Sequence, residues 1–211
     1  MQARRSAREL ALLGIGQLPS SAEKLADQQI QDIVLAVVRT LANEGQESLE
    51  TAMAELQRGS DRLMGSQFRA SDLQSARSMI QEAIELTQSA INRLGTASEF
   101  PELIQLARTE EVTAYTIEIL TEVNARRTEI DQILNDAMVD WQLSRLPRID
   151  RDILRIAVTE FMYLGTQQQV ALNEAVELAK RYSDEDSYRF INGVLRRVVE
   201  NNKKTDAVAQ N

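Results

Sequence analysis

Three arginines within five residues, Arg4, Arg5 and Arg8, open a chain that contains neither histidine nor cysteine. Each guanidinium carries a planar fork of donors, and residues four apart on a helix share a face. Arg4 and Arg8, with Arg5 beside them, therefore suit successive phosphates of a nucleic-acid backbone. Cations at a helix start oppose the macrodipole by about 0.3–1 kcal/mol, so helix stability does not call for them. The competing reading is a solvated, charged helix start. Without His or Cys there is no thiol or Ser-His-Asp catalysis, no disulfide and none of the usual zinc ligands. No GxxxxGK[ST] or GxGxxG loop occurs, and the carboxylate pairs fall on helices of ordinary charge pattern. The expectation is a binding module with no catalytic residue, no metal and no cofactor.

A second basic cluster recurs around Asp150 and Asp152. Arg148, Arg151 and Arg155 stand at spacings of three and four on one helical face, with Arg145 just before them. They read either as intrahelical ion pairs on a solvated surface or as a polar face for a protein partner. Lys203 and Lys204 can add weak phosphate attraction near the end of the chain.

These residues need helices to position them. Hydrophobic residues make up 43% of the chain, with only 8 Gly and 3 Pro, and apolar residues recur at helical spacing, so the fold class is all-α. Residues 3–17 form a helix with Leu10 and Ala11 inward. Pro19–Ser21 breaks it, and Ser20 with Glu23 fits a capping box. The next helix turns Ile30, Val34, Val37 and Leu41 inward and is interrupted at Asn43–Gly45. A weaker stripe, Leu49 to Leu63, ends near Gly65. Ser71 and Gln74 cap a further helix, which Gly95 terminates. A coiled coil is the alternative for 46–95, although its heptads are not sustained. After Phe100-Pro101 come stripes at Val112–Val123 and Ile130–Met138, the second closed by Trp141 as a core anchor rather than a base-stacking platform. Pro147 then leads into Ile149, Ile153 and Ile156. Asn173 is expected to cap the helix NEAVELAKRY (173–182), and Ser183 with Asp186 the helix bearing Phe190, Ile191 and Val194. Gly193 inside that last stripe costs about 1 kcal/mol relative to alanine, which predicts a close approach by another helix or a ligand.

The net charge of −8 is unevenly spread. Residues 20–140 carry 10 Lys+Arg against 21 Asp+Glu, a balance of −11, and the remainder carries +3. A polyanion is repelled by the middle and tolerated at the ends. No apolar run reaches membrane-spanning length, and the first residues lack a signal-peptide core, so a cytoplasmic location is expected.

Four pieces of this sequence resemble the NusB family: QARRSAREL (2–10), RLPRIDRDILRIAVTE (145–160), NEAVELAKRY (173–182) and RFINGVL (189–195). The resemblance covers about the first 19 and the last 70 residues. It implies a compact NusB-like helical bundle over 1–20 and 96–200. Residues 21–95 are then an inserted, acidic helical hairpin packed on the bundle or protruding from it, and 201–211 a flexible tail. The family's proteins are transcription antitermination factors. By the resemblance, this chain supports ribosomal RNA transcription by binding single-stranded boxA RNA of the rRNA leader together with a small-subunit ribosomal protein acting as NusE, within the RNA polymerase antitermination complex. The resemblance implies Arg4, Arg5, Arg8, Arg189 and Phe190 as RNA-binding residues and Asp150 and Asp186 as partner-binding residues. Phe190 also continues the Ile191/Val194 stripe, so core burial competes with an RNA role. Two other readings stand beside it. One is a helical adaptor whose acidic segment binds a basic protein. The other is an RNA-binding accessory domain related to rRNA cytosine methyltransferases, although a chain ending at Asn211 without cysteine is not expected to be the intact enzyme.

Overall fold

The computed structural model describes residues 2–19, 25, 27–139 and 141–209. Among them lie nine α-helices and no strand: α1 (Gln2–Ile15), α2 (Asp27–Phe68), α3 (Leu73–Ala97), α4 (Phe100–Leu106), α5 (Glu110–Ala125), α6 (Arg127–Ala137), α7 (Arg148–Met162), α8 (Gln168–Tyr182) and α9 (Ser187–Ala209). One 3-10 turn, Leu143–Arg145, precedes α7. The Ser20–Glu23 capping box lies outside the described residues. The chain divides into two compact units, Met1–Val37 with Ala107–Asn211, and Val38–Leu106.

The first unit is built around α7, which packs on α1, α5, α6, α8 and α9, while α1 runs along α5 and α8 along α9. Its stripe faces inward as the spacing predicts, with Ile153, Leu154 and Ile156 buried beside Leu10 of α1, Ile119 of α5 and Leu195 of α9. Each such side chain contributes about 1.5–3 kcal/mol by leaving water. Pro147 caps α7, Asp150 lies in its first turn, and Lys180 and Arg181 close α8, charges matched to the helix dipoles. Two expectations fail here. Asn173 is not a cap but lies inside α8, where its side-chain oxygen accepts from Gln169 at 2.9 Å; the helix begins earlier because Gln167 already offers extended backbone. Gly193 meets no close neighbour: an added Cβ would find only Arg197 Nη2, at 3.9 Å. The last helix runs to Ala209, past residue 200.

The second unit is a helical hairpin of a different make. The later part of α2 runs against α3 in the opposite direction, since Arg62 pairs with Glu82 and Arg93 with Glu55, both at 3.0 Å. The line of contact is made of small residues seven apart: Gly45, Ala52 and Gly59 on α2, and Ala83, Ala90 and Ala97 on α3, all buried. A Cβ at Gly59 would come within 3.3 Å of the Ala83 carbonyl oxygen. At Gly45, where a break is expected from sequence, α2 is continuous: an added Cβ would meet the Phe100 side chain at 3.3 Å, so glycine's cost of about 1 kcal/mol is offset by close packing of Phe100. Gly95 likewise does not end α3, which continues to Ala97. The N-cap of α3 is Asp72 rather than Ser71, its carboxylate accepting from the Ser75 amide at 2.7 Å. With the backbones this close, the large apolar side chains stay outside. Leu49, Leu56 and Leu63 of α2, with Ile80, Ile84, Ile91 and Leu94 of α3, are 40–57% exposed.

Candidate nucleic-acid interface

The arginines of α1 divide into one structural residue and two surface ones. Arg8 is 3% exposed, which removes it from any phosphate-binding role. Its Nε donates to both carboxylate oxygens of Glu160, at 2.9 and 2.8 Å, and its Nη1 to Glu174 at 3.3 Å. Glu160 also accepts from the Tyr115 hydroxyl, which lies 3.1 Å from Thr166 Oγ1. Burial, followed by that hydrogen bond to a carboxylate, pushes the Tyr115 hydroxyl up to about 12. Helical spacing puts Arg4 and Arg8 on one face, but it does not say that Glu160, far along the chain, lies under the second of them. Arg5 remains half exposed and bonds Glu174 at 3.3 Å through two nitrogens. Arg4 is exposed, its guanidinium 4.8 Å above the Tyr115 ring.

The α7 arginines do not form a flat charged face. Arg148, Arg151 and Arg155 line a cleft with Arg127 of α6, Asp131, Asp152 and the end of the α1 segment at Ile15–Leu18. Arg155 holds Asp131 through two bonds of 2.8 Å and Asp152 through one of 2.9 Å. Arg148 donates to the Gly16 carbonyl, and Arg127 donates to the Pro19 carbonyl at 2.7 Å. Four guanidiniums against two carboxylates leave an excess of positive charge. Burial, then the neighbouring Arg155, lowers the Arg127 pKa from its ordinary value. The Nε atoms of Arg127 and Arg151 are buried without a hydrogen-bond partner among the described residues. Arg127 carries no signal in the sequence beyond its charge; only the packing of α6 on α7 brings it to the cluster.

Trp141 overturns its expectation as a core anchor. It is 56% exposed and meets Phe190 edge-on, with ring centroids 6.3 Å apart at 65°. The reason is local: α6 ends at Ala137 and Met138 is extended, so the helical register that carried the stripe to Trp141 is lost. Phe190 is half-buried, with Trp141 against it. Trp141 lines a hollow with Gln132, Asn135, Gln142, Ser144, Arg151 and Arg155. Arg151, Arg155 and Asp131 belong to both this hollow and the arginine cleft, so the two form one continuous surface. Its chemistry is that of stacking for a base and guanidinium forks for a phosphate.

The two acidic candidates also separate. Asp186 is exposed, accepting from Arg189 at 3.2 Å, and Arg189 is exposed beside it with its Nε on the Tyr188 hydroxyl at 3.0 Å. Asp150 is 3% exposed, which corrects its role as a direct partner contact. It accepts from the hydroxyls of Ser183 and, at 3.2 Å, Ser187. The Ser183 hydroxyl is thus turned to Asp150, while Asp186 stands directly before α9, its carbonyl accepting from the Arg189 amide at 3.1 Å. Asp150 instead ties the start of α7 to the turn that carries Asp186.

The NusB family model matches residues 69–200 of the chain. The match thus begins inside the 21–95 segment that sequence reading sets apart. The chain is 62% identical over 195 residues to the transcription antitermination protein NusB of Trichodesmium erythraeum, covering 92% of this chain and 94% of that protein. It is 57% identical to its counterpart in Gloeothece citriformis over 206 residues, with 98% and 97% covered. With the protein of that name from Synechococcus elongatus it shares 55% over 198 residues, with 94% and 93% covered. Among the described residues, no helix is long and apolar enough to cross a membrane.

Proposed function

The chain belongs to the NusB family of transcription antitermination factors, and from that premise we propose that it binds single-stranded boxA-type RNA with a NusE-type ribosomal protein. The observation that carries this reading is exposed Trp141, set edge-on against half-buried Phe190 and continuous through Arg151 and Arg155 with a cleft of four arginines. Single-stranded RNA presents unstacked bases and a flexible backbone, and it is held by aromatic faces next to guanidiniums. Arg4 and Arg5, exposed at the start of α1, add phosphate contacts, and Arg189 stands next to Phe190 in sequence. Arg8 supports α1 from beneath. The partner contacts Asp186, which Asp150 positions. The complex works in the cytoplasm with RNA polymerase during transcription of ribosomal RNA, and this protein supplies no catalytic group.

The test is a titration of the full chain with a boxA oligomer and a scrambled control, with and without the ribosomal protein. Loss of one stacked base costs ~1–3 kcal/mol, so Trp141→Ala weakens boxA binding by roughly 5- to 150-fold. It leaves the salt slope unchanged. Replacing Arg4 and Arg5 by alanine flattens the log–log slope by about 1.4, at ~0.7 per phosphate on single strands. Equal affinity of Trp141→Ala and the parent for boxA overturns the reading.

A further inference from the structure

We propose, on the premise that the chain binds single-stranded RNA, that the cleft between α1, α6 and α7 is a phosphate subsite. In it Arg127 and Arg151 hold a backbone phosphate beside the base on Trp141. The four arginines of the cleft have unequal roles. Arg155 commits its Nε, Nη1 and Nη2 to Asp131 and Asp152 and so joins α6 to α7. Arg148 has its Nε 3.7 Å from an Asp152 carboxylate oxygen and donates from Nη2 to the Gly16 carbonyl. These two guanidiniums balance the two carboxylates. Arg127 and Arg151 are left over. Arg127 gives one N–H, from Nη1, to the Pro19 carbonyl, and Arg151 forms no hydrogen bond or ion pair with the described residues. The Nε of each is buried without an acceptor among those residues.

Capping of α1 does not account for this pair. The Gly16 and Pro19 carbonyls take one N–H each, from Arg148 and Arg127, and neither takes one from Arg151. A carbonyl is also neutral, so it leaves the charge of a guanidinium uncancelled. Two uncompensated cations lining one cleft repel each other, and burial followed by Arg155 already lowers the Arg127 pKa. An anion relieves the repulsion and supplies acceptors. The helices favour one too. Arg127 and Arg148 are the first residues of α6 and α7, so the cleft lies at the positive ends of two helix dipoles, and neither helix has a side-chain cap. The neighbouring hollow selects a nucleotide among anions. Arg151, Arg155 and Asp131 line both the cleft and the hollow that holds Trp141. The carboxylate of an acidic peptide would use the cleft alone, whereas a nucleotide uses the guanidinium forks and the aromatic face together.

The experiment has two arms, both on the full chain. The parent is compared with Arg151→Gln, with Arg127→Gln/Arg151→Gln and with Arg77→Gln, an exposed arginine of α3 that controls for charge. Arg151→Gln has no bond to lose, so it carries the test if the double variant does not fold. In the first arm, thermal unfolding is followed by circular dichroism in ~20 mM inorganic phosphate and in chloride of equal ionic strength. Phosphate raises the melting temperature of the parent and of Arg77→Gln by about 2–4 °C more than that of the double variant, because a ligand of the folded state stabilises it. In the second arm, a labelled boxA oligomer is titrated by fluorescence anisotropy at several salt concentrations. Arg151→Gln weakens binding by roughly 10-fold and flattens the log–log slope by about 0.7, the contribution of one phosphate on a single strand. Trp141→Ala weakens binding without changing the slope. An equal phosphate response in the parent, Arg151→Gln and the double variant overturns the subsite. So does an Arg151→Gln variant of parental affinity and slope where Trp141→Ala weakens binding, an outcome that keeps the RNA reading. A phosphate response lost in Arg151→Gln, with boxA affinity equal in Trp141→Ala and the parent, supports the phosphate site and overturns RNA as its source.

Discussion

The two units use the same kinds of residue in opposite ways. In the first, α7 is enclosed on several sides, so Ile153, Ile156 and Leu195 fill the interior, and even charged groups such as Arg8, Glu160 and Asp150 lie inside with partners. In the second, two helices meet along glycines and alanines, the backbones are too close for branched side chains, and leucine and isoleucine stand on a flank. The difference teaches that apolar periodicity reports which face of a helix is meant for burial, and helix spacing decides whether the burial happens within the unit. The first unit is a finished interior whose function lies in clefts on its surface. The second leaves its large apolar side chains on its surface.

The contrast is tested most strongly at Glu160. Replacing it with alanine leaves Arg8 buried without its main counter-charge, and removal of one member of a buried pair costs about 3–5 kcal/mol. Urea unfolding followed by circular dichroism reads this directly, and a loss below about 1 kcal/mol would falsify the idea that charge holds the first unit's interior. A smaller effect comes with alkali. Unfolded tyrosine releases its proton near pH 10, while Tyr115 in the folded protein holds it to about 12. The unfolded state therefore binds fewer protons between pH 10 and 12. Stability is intact below pH 10 and falls by about 2–3 kcal/mol as pH rises through that window. Tyr115→Phe removes its share of this dependence and leaves that of Tyr163, whose hydroxyl burial also pushes up to about 12; a titration of stability that is unaltered by the substitution breaks the assignment. All four tyrosines lie outside residues 38–106, so the hairpin lacks the effect.

The least costly changes compare the two sides of the hairpin. Gly59→Leu forces a side chain toward the Ala83 carbonyl and destabilises the unit by about 1–3 kcal/mol. Leu56→Gln, on the apolar flank, changes stability by less than about 0.5 kcal/mol. Hydrogen exchange of α3 amides at ~1 µM distinguishes the two, and equal protection in both variants removes the distinction between contact line and flank.

Most elements of the first unit are legible in the residues, because their stripes repeat at three and four with Pro147 and charged ends to punctuate them. The second unit is less so. Gly45 and Gly95 read as breaks, since in isolation glycine weakens a helix, and nothing local shows that the Phe100 side chain lies against the first of these. The same limit applies to the candidate site. Arg4 and Arg5 are visible as types in a pattern, whereas Arg189, Phe190 and Asp186 come only with the resemblance to the NusB family, which rests on motifs.

Helix periods, the asymmetry of charge and the family itself were thus determined by the amino-acid order, which acts over a few residues and is readable there. Tertiary structure alone decided that Arg8 lies on Glu160 and Asp150 under Ser183 and Ser187, that Trp141 leaves its helix to face Phe190, and that Arg127 joins the α7 arginines. Those contacts join residues from about 20 to more than 150 positions apart. Burial and pairing at that range depend on how helices pack, which no local spacing encodes.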